Sequence, residues 1–94
     1  MTRKKVIVPE TIHRAGLDIL RQAAEVVYLP EQRGKPLRDF TTGAHAIIVR
    51  VAKIDRELLE QAENLMIIAK HGVGYDNIDV EAATRRKVVV INTP

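Results

Sequence analysis

Short apolar runs alternate along the chain with stretches in which apolar residues recur at helical spacing. Five runs rich in Val, Ile, Leu and Ala contain no regular polar alternation, and they cover residues 6–8, 26–29, 46–49, 65–69 and 88–91. Continuous apolar runs of this kind are typical of parallel strands that are covered on both faces. The pattern therefore predicts five buried strands.

Three segments between these runs are predicted to be helical. The first carries an apolar stripe at helical spacing, formed by Ile12, Ala15, Gly16, Ile19, Leu20 and Ala23. Asp55 and Asp79 each precede a helical pattern and are suited to accept from the free N–H groups of its first turn, so they are predicted N-caps. Residues 37–42 are predicted to form a further short helix, with Pro36 at its start.

The alternation of strands and helices predicts an α/β fold. Right-handed crossovers favour a doubly wound parallel sheet of five strands, flavodoxin-like, in the order 2-1-3-4-5 with helices on both faces. The sequence has no final helix after residue 91 to cover the edge of the sheet. We therefore expect a further element, from the same protein or from a partner, to complete the fold.

Composition narrows the class of protein. The chain has 94 residues, which suits one small domain, and its net charge of +3 comes from basic residues scattered among acidic ones. Three aromatic residues are too few for stacking on single-stranded nucleic acid, so no nucleic-acid partner is expected. Cysteine is absent, and no apolar run is long enough for a signal peptide or a membrane span. A cytoplasmic protein without a membrane partner is the expectation.

The ends of the third and fourth strands carry residues that suit an anion. Arg50 and Val51 follow the third strand, and the loop with Gly72 and Gly74 follows the fourth. In a doubly wound sheet these ends are neighbours, at the edge where ligands bind. Closely spaced glycines let backbone N–H groups point at an anion, while Arg can grip a carboxylate or phosphate by two parallel hydrogen bonds. Asn77 stands where a dinucleotide loop would need a third glycine, so a small acid is predicted instead.

One other interpretation of these residues stays open, and two others conflict with the sequence. Arg50 could be a surface ion-pair residue and the glycines could merely form a turn. A phosphate-accepting receiver domain would need an acidic residue where Arg50 stands, and a flavin site would need a Ser/Thr/Gly-rich loop after the first strand.

His71 adjoins the glycine loop, whereas His13 and His45 are interpreted as structural or solvated. No metal site is predicted.

The second half of the chain resembles the D-isomer-specific 2-hydroxyacid dehydrogenases, a family that includes D-3-phosphoglycerate dehydrogenase and hydroxypyruvate reductase. Residues 47–50 match the family's third strand, and the whole chain is covered, more strongly from Ala46 onward. The motifs that carry the resemblance are Gly72-Val73-Gly74-Tyr75-Asp76-Asn77-Ile78-Asp79, Glu81-Ala82-Ala83-Thr84 and Val88-Val89-Val90-Ile91-Asn92-Thr93-Pro94.

The resemblance implies a role for the chain and for single residues. Residues 1–94 would be the N-terminal part of a substrate-binding domain, and NAD or NADP would bind to a Rossmann domain that this chain lacks. The N–H groups of Val73 and Gly74 would receive the substrate carboxylate, and Arg50 would hold its distal end. Phosphoglycerate dehydrogenases typically carry Ser where Val51 stands, and residues 51–53 are one residue shorter than the usual pattern, so the choice between phosphoglycerate and another 2-hydroxy or 2-keto acid stays open.

Three hypotheses of function result. The leading hypothesis is that the chain is part of an NAD(P)-dependent D-2-hydroxyacid dehydrogenase. The full-length protein is expected to be a homodimer, and this fragment alone is expected to be inactive. The predicted substrate-binding residues are Arg50, Val51, Gly72, Val73 and Gly74. The alternatives are a stand-alone flavodoxin-like module for small carboxylic acids and a purely structural remnant. The length of the native reading frame separates the first from the other two.

Overall fold

Five parallel strands form one sheet. The computed structural model describes residues 3–72 and 74–93. The strands lie in the order β2-β1-β3-β4-β5, and every neighbouring pair is parallel, which confirms the predicted topology. Their bounds are β1 Lys5–Val8, β2 Glu25–Tyr28, β3 Ala46–Val49, β4 Ile67–His71 and β5 Val89–Thr93.

The strand ends lie within two residues of the predicted ones, and β3 has the predicted bounds. The largest difference is in β4, which begins and ends two residues later than the apolar run at 65–69. Leu65 is buried in the core although it precedes the strand, so its apolar character reflects packing and not strand pairing. Lys70 and His71 extend β4 because they pair with Asn92 and Thr93 of β5.

Three helices and two short 3₁₀ turns connect the strands. The helices are α1 Arg14–Ala23, α2 Arg56–Gln61 and α3 Val80–Arg85, and the 3₁₀ turns are Leu29–Glu31 and Leu37–Phe40. The helix predicted over residues 37–42 is therefore only a 3₁₀ turn, which Pro36 precedes. None of the helices in the described residues is long and apolar enough to cross a membrane.

Side chains cap all three helices. The Asp55 carboxylate accepts from the Leu58 N–H and the Asp79 carboxylate from the Ala82 N–H, each at 2.9 Å, which confirms both predicted N-caps. The imidazole of His13 caps α1. Such caps satisfy N–H groups that have no partner within the helix, and each is worth about 0.5–2 kcal/mol.

The core lies on both faces of the sheet, as predicted. Because side chains alternate along a strand, Val6 and Val8 pack with Leu17 of α1 on one face while Ile7 points to the other. On that second face, residues of α2 and α3 pack against Ile47 and Ile68, which are fully buried. Burial of each such side chain contributes about 1.5–3 kcal/mol. The two layers of helices hold the strand ends in fixed positions.

Candidate functional site

The carboxyl ends of β1, β3 and β4 meet at one edge of the sheet. β3 lies between β1 and β4, so the segments that follow these three strands are neighbours. They line a cleft of about 320 Å³, formed by residues 10–13, by residues 48–50 and by His71. The cleft stands at the position where doubly wound sheets bind ligands, beside the point at which the strand order reverses.

Arg50 is one of the residues that line this cleft. Its side chain is exposed, and its guanidinium forms no hydrogen bond or ion pair with any residue that the structure describes. The interpretation of Arg50 as a surface ion-pair residue therefore finds no carboxylate partner in residues 3–72 and 74–93. The guanidinium is available to an anion, which it could hold by two parallel hydrogen bonds.

The glycine loop follows β4 and faces a second cleft. Gly72 has a φ of +124°, a conformation that side-chain-bearing residues rarely adopt, and this explains the glycine. Gly74 is exposed, and its N–H donates to no other described residue. Val73, for which an N–H contact to the substrate carboxylate was predicted, lies outside the described residues. The free Gly74 N–H is a possible hydrogen-bond donor to an anion.

Val51 separates the two clefts. Its side chain is 68% exposed, and it lines the second cleft, of about 230 Å³, with Lys70, Gly74, Asp76 and Asn77. The two clefts meet at the segment Arg50–Val51, which we call the ridge. Arg50 lines the first of them, the guanidinium cleft, and Val51 lines the second, the glycine-loop cleft. Of the two predicted halves of the site, Arg50 lines the first cleft and Gly74 lines the second.

Glu10 holds the N–H side of this ridge. One oxygen of its carboxylate accepts from the Arg50 N–H and the other from the Val51 N–H, each at 2.6 Å. These two N–H groups are therefore occupied by the protein itself. The sequence alone does not predict this contact, because it joins residues about forty positions apart.

Lys70 and Asn77 hold the carbonyl side of the ridge. The Lys70 ammonium donates to the Arg50 carbonyl and, at 2.9 Å, to the side-chain oxygen of Asn77. The Asn77 amide donates to the Arg50 carbonyl at 3.2 Å and to the Ala52 carbonyl at 2.8 Å. Lys70 is 7% exposed. Lys70 lies two residues after Ile68 and therefore on the same face of the strand. Because Ile68 belongs to an apolar run that is predicted to be buried, the sequence indicates that the Lys70 ammonium needs such partners.

The histidines divide into two groups. His13 accepts from the Ala15 N–H at 3.1 Å and His45 accepts from the Lys5 N–H at 3.0 Å, which supports the interpretation of both as structural or solvated. His71 is exposed and lines the guanidinium cleft, where His13 also lies. Within the part of the chain that the structure describes, no three His, Asp or Glu side chains come together in a way that could hold a metal ion.

A protein family matches this chain almost from end to end. Residues 6–94 match the family described as "D-isomer specific 2-hydroxyacid dehydrogenase, catalytic domain". The parallel sheet with its ligand-binding edge defines the class of fold, and this match defines the family within it. The chain belongs to the D-isomer specific 2-hydroxyacid dehydrogenases.

Individual relatives are similar over nearly the whole chain. A glyoxylate reductase from Thermococcus gammatolerans is 40% identical over 98% of this chain, and a D-3-phosphoglycerate dehydrogenase from Synechocystis is 39% identical over 99%. The crystal structure of 3-phosphoglycerate dehydrogenase from Entamoeba histolytica with bound NAD+ is 31% identical over the full chain, with a TM-score of 0.82. The chain spans only 29%, 17% and 33% of these three proteins, respectively.

Proposed function

We propose that this chain is the substrate-binding part of an NAD(P)-dependent D-2-hydroxyacid dehydrogenase. The reaction is transfer of a hydride between a nicotinamide and the second carbon of a small 2-hydroxy or 2-keto acid. The observation that carries the proposal is the ridge, at which Arg50 and Gly74 line two clefts that meet. Neither the Arg50 guanidinium nor the Gly74 N–H is bonded to another residue within 3–72 and 74–93. These are two anion-binding groups of the kind that a small acid needs at its two ends.

The roles that we propose for single residues rest on the resemblance to the family and, for Arg50, Val51, Gly72 and Gly74, also on this arrangement. The N–H groups of Val73 and Gly74 receive the substrate carboxylate, and the Arg50 guanidinium holds the distal end of the acid. Gly72 permits the backbone to turn toward the ligand. Val51 is a wall of the second cleft and offers the substrate an apolar surface without a hydroxyl group. The chain's contribution to the reaction is to bind and orient the acid.

The nicotinamide cofactor does not fit the residues of this chain. A pyrophosphate loop of the Gly-x-Gly-x-x-Gly type needs a third glycine where Asn77 stands. The side chain of Asn77 is instead bonded to two backbone carbonyls and to Lys70. We assign the cofactor and the acid–base groups to a part of the protein outside residues 1–94, and we expect this chain alone to be inactive.

The substrate is a small 2-keto acid or its hydroxy acid. The names of the two relatives, glyoxylate reductase and D-3-phosphoglycerate dehydrogenase, span both an acid without a distal group and a phosphorylated one. The Arg50 guanidinium, which has no partner among the residues that the structure describes, favours an acid with a polar or anionic distal group. The side chain of Val51 cannot donate a hydrogen bond to a phosphate. 3-Phosphoglycerate is therefore only one of several candidate substrates.

The remaining parts of the proposal concern the whole protein. Residues 1–94 form the N-terminal part of the substrate-binding domain, and the full-length protein is a cytoplasmic homodimer. A stand-alone module for small carboxylic acids would use the same ridge and loop for binding alone. Turnover of 2-keto acids by the full-length protein distinguishes the dehydrogenase from this module.

The experiment that tests the proposal is steady-state kinetics of Arg50→Ala in the full-length protein. A charge-assisted hydrogen bond contributes about 1.5–3 kcal/mol, so the variant should raise the KM for hydroxypyruvate about ten- to a hundred-fold. The KM for the nicotinamide should stay unchanged. Arg50→Lys keeps the charge but loses the planar fork, and it should restore activity only in part.

Two results would contradict the proposal. If Arg50→Ala left both kcat and the KM for every 2-keto acid at wild-type values, Arg50 would not be a substrate-binding residue. If the wild-type full-length protein bound keto acids but reduced none of them with NADH or NADPH, the binding module would replace the dehydrogenase.

A further inference from the structure

The two residues that flank the glycine loop meet on one backbone carbonyl. Lys70 and Asn77 are seven residues apart, yet both donate to the carbonyl of Arg50. The loop between them contains Gly72 and Gly74. The same two side chains thereby tie the glycine loop to the segment that carries the guanidinium.

We propose that Asn77 is a positioning residue for substrate binding, which acts through Arg50. The inference rests on the proposed function, because it concerns the same site. Asn77 fixes the ridge relative to the glycine loop and thereby sets the position of the guanidinium relative to the Gly74 N–H. The side-chain amide of Asn77 is bonded to Lys70 and to the carbonyls of Arg50 and Ala52, so its effect on binding is exerted through these contacts.

The chemistry of the contacts explains why the residue is asparagine. Lys70 can only donate and the carbonyls of Arg50 and Ala52 can only accept, so this position needs one acceptor and two donors. The side-chain amide supplies this combination, and its orientation is fixed by its partners. Aspartate has the same shape but offers no donor to the two carbonyls, and its charge would repel them.

The ridge is fixed on its opposite side as well. Glu10 takes the N–H groups of Arg50 and Val51, so the backbone of this short segment is bonded to side chains from both directions. Surface loops usually bond to water instead. A backbone held in this way loses little further freedom when the acid binds, which is the physical advantage of a preorganised site.

The test is a double-mutant cycle in the full-length protein, with hydroxypyruvate as the keto acid and NADH or NADPH as the reductant. Asn77→Asp should raise the KM for hydroxypyruvate about ten-fold and leave the KM for the nicotinamide unchanged. In the Arg50→Ala background the same substitution should have little further effect on the KM for hydroxypyruvate, because its action on binding requires the guanidinium. A merely structural role would lower the amount of active enzyme without this split.

Asn64→Asp is the matched control. Asn64 is exposed and lies before the amino end of β4, at the opposite edge of the sheet, and the substitution introduces the same charge. Its KM values should equal those of the wild type. If Asn77→Asp does not fold, Asn77→Ser retains one donor and should show a smaller rise, about three-fold, with the same dependence on Arg50.

The outcomes separate this inference from the proposed function. An active wild type whose KM for hydroxypyruvate is unchanged in Asn77→Asp, or rises equally with and without Arg50, overturns the positioning role alone. A wild type that reduces no 2-keto acid overturns the proposed function and this inference with it.

Discussion

Ile54 provides a quantitative test of how the core supports the site. Its side chain is fully buried, and its backbone forms a bridge to Ile78 in the segment that follows the glycine loop. The Ile54 N–H donates to the Asn77 carbonyl at 2.8 Å, and the Ile54 carbonyl accepts from the Asp79 N–H at 2.9 Å. Truncation of this side chain does not remove the backbone hydrogen bonds of Ile54. It opens a cavity next to the two segments that form the site, residues 50–52 and residues 72–77.

The expected cost follows from the burial. Replacement of a fully buried Ile by Ala costs about 2–5 kcal/mol, whereas replacement by Val costs about 0.5–1.5 kcal/mol. A small domain has a free energy of unfolding of about 5–15 kcal/mol, so Ile54→Ala removes a large part of it. With a typical slope for urea, a loss of about 3 kcal/mol lowers the urea midpoint by about 2 M.

The assay is urea denaturation of the wild type and of three variants, followed by circular dichroism. Ile54→Ala and Ile54→Val test the buried site, and Ile19→Ala is the matched control, because Ile19 is 66% exposed on α1. The control should change the free energy of unfolding by no more than about 0.5 kcal/mol. The reasoning is refuted if Ile54→Ala costs no more than Ile19→Ala.

Two glycine substitutions should change stability in opposite directions. Gly72→Ala should lower the free energy of unfolding by about 1–3 kcal/mol, because its φ of +124° strains any side-chain-bearing residue, although its new Cβ would make only an ordinary contact with Lys70 at 3.8 Å. Gly16→Ala, in α1 and with no atom within 4 Å of the new Cβ, should raise it by about 0.5–1 kcal/mol. Thermal unfolding of both variants tests the pair, and equal shifts of the same sign would contradict the conformational argument.

The fold was largely predictable because its determinants are local and topological. Continuous apolar runs indicate parallel strands, and the right-handed crossover then leaves few strand orders to choose from. The caps at Asp55 and Asp79 were predictable because the capping side chain and its N–H partner lie three residues apart. The predicted helix at 37–42 was wrong in length, since a Pro and a few polar residues do not distinguish a 3₁₀ turn from a helix.

The site was predictable in its parts but not in its internal contacts. The strand order places Arg50 next to the segment that follows β4, and this order could be predicted from the sequence. The contacts of Lys70 and Asn77 with the ridge join residues 20 and 27 positions apart, and they depend on side-chain directions that no local pattern encodes. From the sequence, Asn77 was considered only as the residue that stands where a dinucleotide loop needs a third glycine. Its structural role is to form hydrogen bonds with its own side-chain amide.

The account's central claim is that one small acid spans the glycine loop and the Arg50 guanidinium. The most direct measurement is a crystal structure of the full-length protein with hydroxypyruvate, in the absence of a reduced nicotinamide so that the acid is not consumed. The account predicts the carboxylate within about 2.7–3.2 Å of the Gly74 N–H, with the distal end of the acid toward Arg50. An acid bound at another place, in contact with neither Gly74 nor Arg50, would contradict it.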